Sequence, residues 1–392
     1  MDLTYLELFA GAGGMSLGLE TAGWRCVAHA EIEPHARAVL RHRWPDVPLY
    51  GDVAELDGTQ FRGVTMVTGG SPCQDLSIAG KRAGMTEGSG TRSSLFFEQV
   101  RIWNESQAPY ILWENVYGAF SSNAGRDFSA VLSALVGGAV PVPADGWVRA
   151  GVVAGPTGVA AWRTLDAQYF GVPQRRRRVF VLGVRGGGVD PAEILSLAES
   201  LSGHLATSGE AREGVAADAG AGAAVTFDAR GNGDVVNTMA GDHQNRVTDY
   251  TAIVLRNREG KPGGGKGPLL SAERSLTLGT SNDQVVFAMA SGQANAETAK
   301  DISPSLTGLH EQPIAFRRAG VPRRLTPVEC ERLMGWPDQH TAHGISEAGK
   351  PYALADTARY KLCGNGIASP VTAWIGFQLR HYLTSGKPFP IL

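Results

Sequence analysis

Three short stretches carry side chains suited to adding a nucleophile to an electron-poor ring. The first is Gly69-Gly70-Ser71-Pro72-Cys73-Gln74, whose glycines and proline predict a turn of fixed shape that presents the Cys73 thiol. A lone cysteine is ordinarily a small, inert hydrophobe. The second stretch, Glu114-Asn115-Val116, also follows an apolar run and supplies a carboxyl group. If both open onto one crevice, a thiolate can add to the ring while the acid protonates it. The third is Gln174-Arg175-Arg176-Arg177-Arg178, directly before the apolar residues 179–184. In a strand, alternation puts Arg176 and Arg178 on one face. The alternative for such a run is a solvated charge patch or a nuclear-import signal.

A fourth stretch is built to bind rather than react. Phe9-Ala-Gly-Ala-Gly-Gly14 follows an apolar strand and opens a helix at Met15-Ser-Leu-Gly-Leu-Glu20. Its glycines let backbone N–H groups approach a ligand at a helix N-terminus. Glu31 stands 17 residues beyond Gly14, where an acid can bond ribose hydroxyls, and Asp52 follows Tyr50-Gly51. Together they predict an adenosine site, although tight strand–helix turns also use glycine for packing. The spacing departs from the dinucleotide pattern, and a zwitterionic S-adenosylmethionine fits as well as a pyrophosphate.

Elements must bring these stretches together. Apolar runs at 3–9, 25–30, 64–68, 110–113 and 179–184 predict strands, and residues 34–44 predict a helix with Pro34 in its first turn. That alternation is the pattern of a doubly wound, mostly parallel α/β sheet, whose strand-end loops share one crevice. Residues 186–316 differ: they are glycine-rich, lack tryptophan and contain four aromatics, Phe227, Tyr250, Phe287 and Phe316. They read as a smaller region of β-hairpins and loops laid on a scaffold. A degenerate repeat runs through them: 236–241 leading to Gln244, 275–279 to Gln284, and 304–308 to Gln312, each followed by a short apolar stretch (252–255, 285–287, 314–316).

The chain has 392 residues, 43% hydrophobic and 19% charged, enough apolar material to exclude wholesale disorder. No run approaches the roughly 18 to 20 apolar residues of a bilayer span, and the N-terminus lacks a signal-peptide pattern, so no membrane partner is expected. Cys26, Cys73, Cys330 and Cys363 form no CxxC pair; neither a disulfide framework nor a metal site is expected, and the cytoplasm is the expected compartment. The net charge of −2 conceals a division: residues 1–185 balance at 0, 186–316 carry −7, and 317–392 carry +5. The basic C-terminal section and the arginine run suit a polyanion; the acidic middle does not.

The ordered motifs FAGAGG, GSPCQ, ENV, QRRRR, RRLTPVECERLMGWPD and GNGIASPV closely resemble those of the DNA (cytosine-5)-methyltransferases of prokaryotic or phage type. The resemblance covers residues 3–185 and 317–376. It implies a Rossmann-like domain dependent on S-adenosylmethionine, a product S-adenosylhomocysteine, no metal, and a target cytosine flipped out of duplex DNA. It assigns Cys73 the attack on C6 and Glu114 the hold on N3; Arg176 would contact the base and Arg178 organise the site. For the cofactor it implies Phe9, Gly11, Ala12, Gly13, Gly14, Glu31, Ile32, Asp52, Val53, Pro72, Leu95, Asn365 and Ile367. For DNA it implies Gln74, Ser77, Lys81 and Gln174, and the basic section adds Arg323 and Arg324. Two departures stand out: Gly366 where the family commonly has Ser, and Leu76 and Trp336 where it often has Phe.

The implied organisation is a catalytic domain at 1–185, a variable target-recognition region at 186–316, the rest of a small domain at 317–360, and a segment 361–392 returning to the catalytic domain, with 365–377 as a helix. A monomer acting on double-stranded DNA is expected, with a cognate restriction endonuclease as a candidate partner. Rival readings are a transfer-RNA methyltransferase of the same family, a catalytically silent DNA-binding relative, and a nicotinamide-dependent oxidoreductase. The stretch 186–316 before Arg317 has 131 residues, long for the transfer-RNA branch. Retention of Cys73, Glu114 and Arg176 opposes a silent relative.

Overall fold

A computed structural model describes residues 2–72, 95–186, 188–196 and 325–387, and the backbone of seven strand segments between 254 and 324. The catalytic half is built on eight strands: β1 (Thr4–Leu8), β2 (Arg25–Ala30), β3 (Leu49–Tyr50), β4 (Met66–Gly69), β5 (Tyr110–Val116), β6 (Ala150–Gly155), β7 (Gly158–Asp166) and β8 (Arg177–Arg185). Their order across the sheet is β3-β2-β1-β4-β5-β8-β7-β6. The first five pair in parallel, and β8, β7 and β6 continue antiparallel. The expected, mostly parallel sheet is therefore present. Its antiparallel edge strands β6 and β7 are additions to what the apolar runs predicted.

β1 is buried on both faces along its whole length. Tyr5 points into one core layer with Met15 and Leu19, while Leu6 and Leu8 point into the other with Phe96, Trp103 and Phe128. The helices are α1 (Gly14–Thr21), α2 (Pro34–Arg43), α3 (Leu95–Ser106), α4 (Arg126–Val136), α5 (Pro191–Leu195), α6 (Pro327–Leu333), α7 (Asp356–Asn365) and α8 (Ser369–Ser385). Pro34 lies at the start of α2, and the Glu33 carboxylate caps it by accepting from Ala36 N. α6 begins with a capping box between Thr326 and Glu329.

The C-terminal return differs from expectation in one detail. Segment 365–377 is not one helix: α7 ends at Asn365, and α8 starts at Ser369 with Pro370 in its first turn. α8 packs against α1, where Trp24 Nε1 donates to Gly376 O at 3.0 Å and Arg380 Nη1 to Ala22 O at 2.9 Å. Of the three apolar stretches after the repeat, Val254–Arg256 pairs with Gln284–Val286, whereas Ile314–Ala315 pairs with Arg323–Arg324. The third is thus not equivalent to the first two. The repeat loops at 236–244, 275–279 and 304–312 lie outside the described residues.

Candidate active site

Strand order reverses between β1 and β4, so the crevice beyond their carboxyl ends is the topological switch point of the sheet. The turn after β1 enters it through Phe9, whose φ of 53° is left-handed, an uncommon conformation for a bulky residue. A Cβ on Gly11 would meet nothing within 4 Å, so this position opens onto free space. Gly13, by contrast, has the Trp44 ring where a side chain would stand, and Gly14 has Ile367 O; these two are close-packed. Ala12 is buried, and its carbonyl lies 2.7 Å from His340 Nε2.

Glu31 sits at the end of β2 with its carboxylate held by backbone. Oε2 accepts from Gly11 N at 2.7 Å, and Oε1 from Ile32 N at 2.8 Å and Glu33 N at 2.7 Å. Burial pushes its pKa up against these bonds. The Ile32 side chain beside it is 68% exposed, a large apolar surface open to a ligand. Asp52 caps a short 3-10 turn by accepting from Ala54 N, and Val53 is buried behind it. Pro72 and Leu95 flank residues 73–94, which lie outside the described residues with Cys73, Gln74, Ser77 and Lys81.

The loop toward Cys73 is anchored on β5. Trp113 Nε1 donates to Ser71 Oγ at 3.0 Å and Asn115 Nδ2 to Ser71 O at 3.1 Å. A Cβ on Gly70 would come within 2.8 Å of Glu114 Oε2, so glycine here leaves room for the carboxyl group. In the antiparallel β5–β8 ladder Val116 opposes Arg178, which sets Arg178 diagonally across from Glu114 on one face. Its Nε lies 3.2 Å from Glu114 Oε1. Burial raises the Glu114 pKa, while Arg178 and then Arg176 lower it.

The arginines of the run stand in different surroundings. Arg178 is the one beside Glu114, whereas Arg176 is buried and donates Nη2 to Gly364 O at 3.1 Å and Gly366 O at 2.5 Å. Arg177 points the other way, to Asp166 Oδ2 at 3.4 Å. Gln174, expected at the DNA, is fully buried and donates Nε2 to Leu333 O at 3.1 Å. It ties the arginine segment to α6. Asn365 is exposed at the end of α7, and Ile367 is half-buried beside Gly70. Arg323 and Arg324 form a two-residue strand.

Sequence reasoning passed over Asp166 and marked Trp336 only as a departure from the family pattern. Asp166 Oδ1 accepts from Arg176 N at 2.9 Å, and Trp336 Nε1 donates to Ile367 O at 3.0 Å. Both contacts join elements that local patterns do not connect.

Residues 3–381 match the family model of C-5 cytosine-specific DNA methylases. The chain is similar to a protein of Escherichia phage P1 named DNA N-6-adenine-methyltransferase, 31% identical over 96% of this chain and 61% of that one. It is similar to the type II methyltransferase M.Eco47II of Escherichia coli, 37% identical over 48% of this chain and 40% of that one. A third relative, the type II methyltransferase M.HpaII of Haemophilus parainfluenzae, is 26% identical over 97% of this chain and 90% of that one. The chain thus spans about three fifths of the phage relative's length and under half of the E. coli enzyme's. Among solved structures it resembles the Dnmt2 methyltransferase of S. pombe, with a TM-score of 0.53 at 15% identity over 98% of this chain and 100% of that one. The chain belongs to the C-5 cytosine-specific DNA methylase family.

Proposed function

We propose that the protein methylates C5 of a cytosine within a short sequence of double-stranded DNA, using S-adenosylmethionine. The observation that carries this reading is the buried Glu114–Arg178 pair, set beside the glycine turn that leads to Cys73. Cytosine C5 is too weak a nucleophile to attack a sulfonium methyl unaided. Cys73 Sγ, as thiolate, bonds to C6 of the flipped base, and Glu114 gives a proton to N3, so C5 becomes enamine-like. Bound S-adenosylmethionine supplies the methyl group. Loss of the C5 proton and cleavage of the C6–S bond then restore the ring, and the N3 proton returns to Glu114. Arg178 offsets the charge of Glu114 in its ionised state; Arg176 holds the 364–366 backbone at the edge of the crevice.

The cofactor fits the residues at the switch point. Gly11 leaves open space, Ile32 offers an apolar face for adenine, and the Glu31 and Asp52 carboxyls stand where ribose and adenine would be held. Phe9 opens the glycine turn after β1 and is half-buried there. A second reading, methylation of adenine N6, is raised by the name of the phage P1 relative. An exocyclic amine attacks a methyl group without prior thiol addition, so that reading gives Cys73 and the Glu114–Arg178 pair no part.

Methyl-resolved sequencing of plasmid DNA from expressing cells, with Cys73→Ala alongside, tests the proposal. The expected result is 5-methylcytosine in one short motif, absent in the variant. N6-methyladenine would establish the second reading. No DNA methylation would redirect the search to transfer RNA or a silent relative.

A further inference from the structure

We propose that Arg37 positions the adenosine edge of the cofactor site and that Glu347 orients its guanidinium. The inference rests on the S-adenosylmethionine reading above. β3 is two residues long, lies at the sheet edge and pairs with β2 at His29↔Leu49 and Ala30↔Tyr50, with Glu31 N donating to Tyr50 O at 3.2 Å just beyond. Such a short edge ladder does little to fix the chain beyond its last residue. Yet Glu31 and Asp52, the two acids assigned to the nucleoside, stand just past the ends of these two strands.

Arg37, on α2, adds a side-chain clamp to the Glu31–Tyr50 main-chain bond. Its Nη1 donates to Glu31 O at 2.7 Å and to Tyr50 O at 2.5 Å, bridging the ends of both strands. Its Nε lies 3.3 Å from Glu347 Oε1, which also accepts from Arg41 Nη2 at 2.9 Å. Glu347 belongs to the hairpin of His343–Ile345 and Pro351–Ala353, more than 300 residues away in sequence. The Arg37 side chain is 16% exposed, so its two carbonyl bonds are largely shielded from water, whereas Glu347 is 76% exposed. A planar guanidinium holds two carbonyls with one nitrogen and a carboxylate with another; a lysine ammonium cannot keep that geometry. These contacts are to backbone and to a remote carboxylate. Arg37 is therefore a positioning residue: it fixes the main chain from which Glu31 and Asp52 project.

Isothermal titration of S-adenosylhomocysteine and of 5′-methylthioadenosine into wild type, Arg37→Ala, Arg37→Lys and Glu347→Ala tests this. Loss of two charge-assisted bonds predicts Kd raised about tenfold or more in Arg37→Ala, with Arg37→Lys in between. Glu347→Ala should cost about two- to threefold, because an exposed ion pair is weak. Equal losses for both ligands would place the defect on the adenosine they share, and KM for S-adenosylmethionine should rise by more than kcat falls. Thermal melts identify a variant that does not fold; Arg37→Lys keeps the charge and carries the test in that event. Folded Arg37 variants that bind both ligands within about twofold of wild type would overturn the inference. So would a loss confined to S-adenosylhomocysteine, which would place the defect on the amino-acid end. Wild type that binds neither ligand would instead overturn the cofactor reading, an outcome distinct from failure of Arg37.

Discussion

At the scale of single residues, burial and charge oppose each other on Glu114. Burial raises its pKa, Arg178 and Arg176 pull it back, and the result is a carboxyl group able to hold a proton and release it. Glu114→Gln keeps the shape and removes the proton, so kcat should fall by about 10²-fold or more while S-adenosylhomocysteine binding, read by titration, holds. An unchanged kcat would remove Glu114 from the chemistry. A second buried carboxyl lies beneath the cofactor turn. Glu7, on β1, is pushed up to about 8 by burial, and burial drives His29, on β2, down to about 4. Ser16 Oγ bridges them: it donates to Glu7 Oε2, lies 2.8 Å from His29 Nε2 and accepts from the Tyr5 hydroxyl at 2.8 Å. A carboxyl whose folded-state pKa lies above its unfolded value near 4.5 takes up a proton on folding. Its contribution to stability is therefore full below that value and is lost as pH rises through about 8. Glu7→Gln abolishes that titration, so melts from about pH 6 to 9 should show Tm shifting in the variant's favour as pH rises. A Tm difference that stays constant would mean that native Glu7 ionises without penalty.

At the scale of elements, the two departures at Trp336 and Gly366 become one. A Cβ on Gly366 would stand 2.5 Å from Trp336 ring carbons, and the same indole donates to Ile367 O at 3.0 Å. The larger ring fills the space that a serine would need in the turn between α7 and α8. Gly366→Ser should therefore lower stability by about 1–3 kcal/mol through overpacking. Trp336→Phe, combined with it, should recover part of that loss, giving a non-additive double-mutant cycle in denaturant unfolding. Additive losses would show that the two positions do not share the space. Contacts of this kind explain which elements the sequence disclosed. β2 matched its apolar run from Arg25 to Ala30, and α2 was marked by Pro34 at its start. β6 escaped notice because Ala150–Gly155 is a small-residue edge strand with no buried position, and β7 because its alanines give a weak strand signal. In the return segment, Pro370 marked the true helix start, and Gly366 lay in the break before it. Glu114 and Arg178 were legible because they sit near strand ends with distinctive neighbours. Arg37, Asp166 and Trp336 were not, since their partners come from other elements of the chain.

At the scale of the whole molecule, charge and connectivity bear on how a polyanion is held. α8 brings the end of the section 317–392, which carries +5, back onto α1 in the N-terminal half. Several cations of both basic stretches are already engaged: Arg176 on Gly364 and Gly366 and Arg359 on Glu331 at 3.0 Å inside the fold, and Arg332 on Asp338 at 2.6 Å at the surface. Fewer charges are then free for phosphates than the count suggests, and each remaining one should weigh more in the salt dependence. Arg323 and Arg324 lie on a short strand just before α6, whose last residue Leu333 is bonded to Gln174 at the foot of the arginine run. Two adjacent arginines leading into that helix are candidates for phosphate contacts. Arg323→Ala or Arg324→Ala should weaken duplex binding across all sequences and reduce the slope of log K against log salt by about 1. Sequence preference, read as the relative affinity of methylated-motif and scrambled duplexes, should stay as in wild type. A variant that changes the preference with the slope intact would show instead that the residue reads a base edge, because only contacts that neutralise phosphates release counterions.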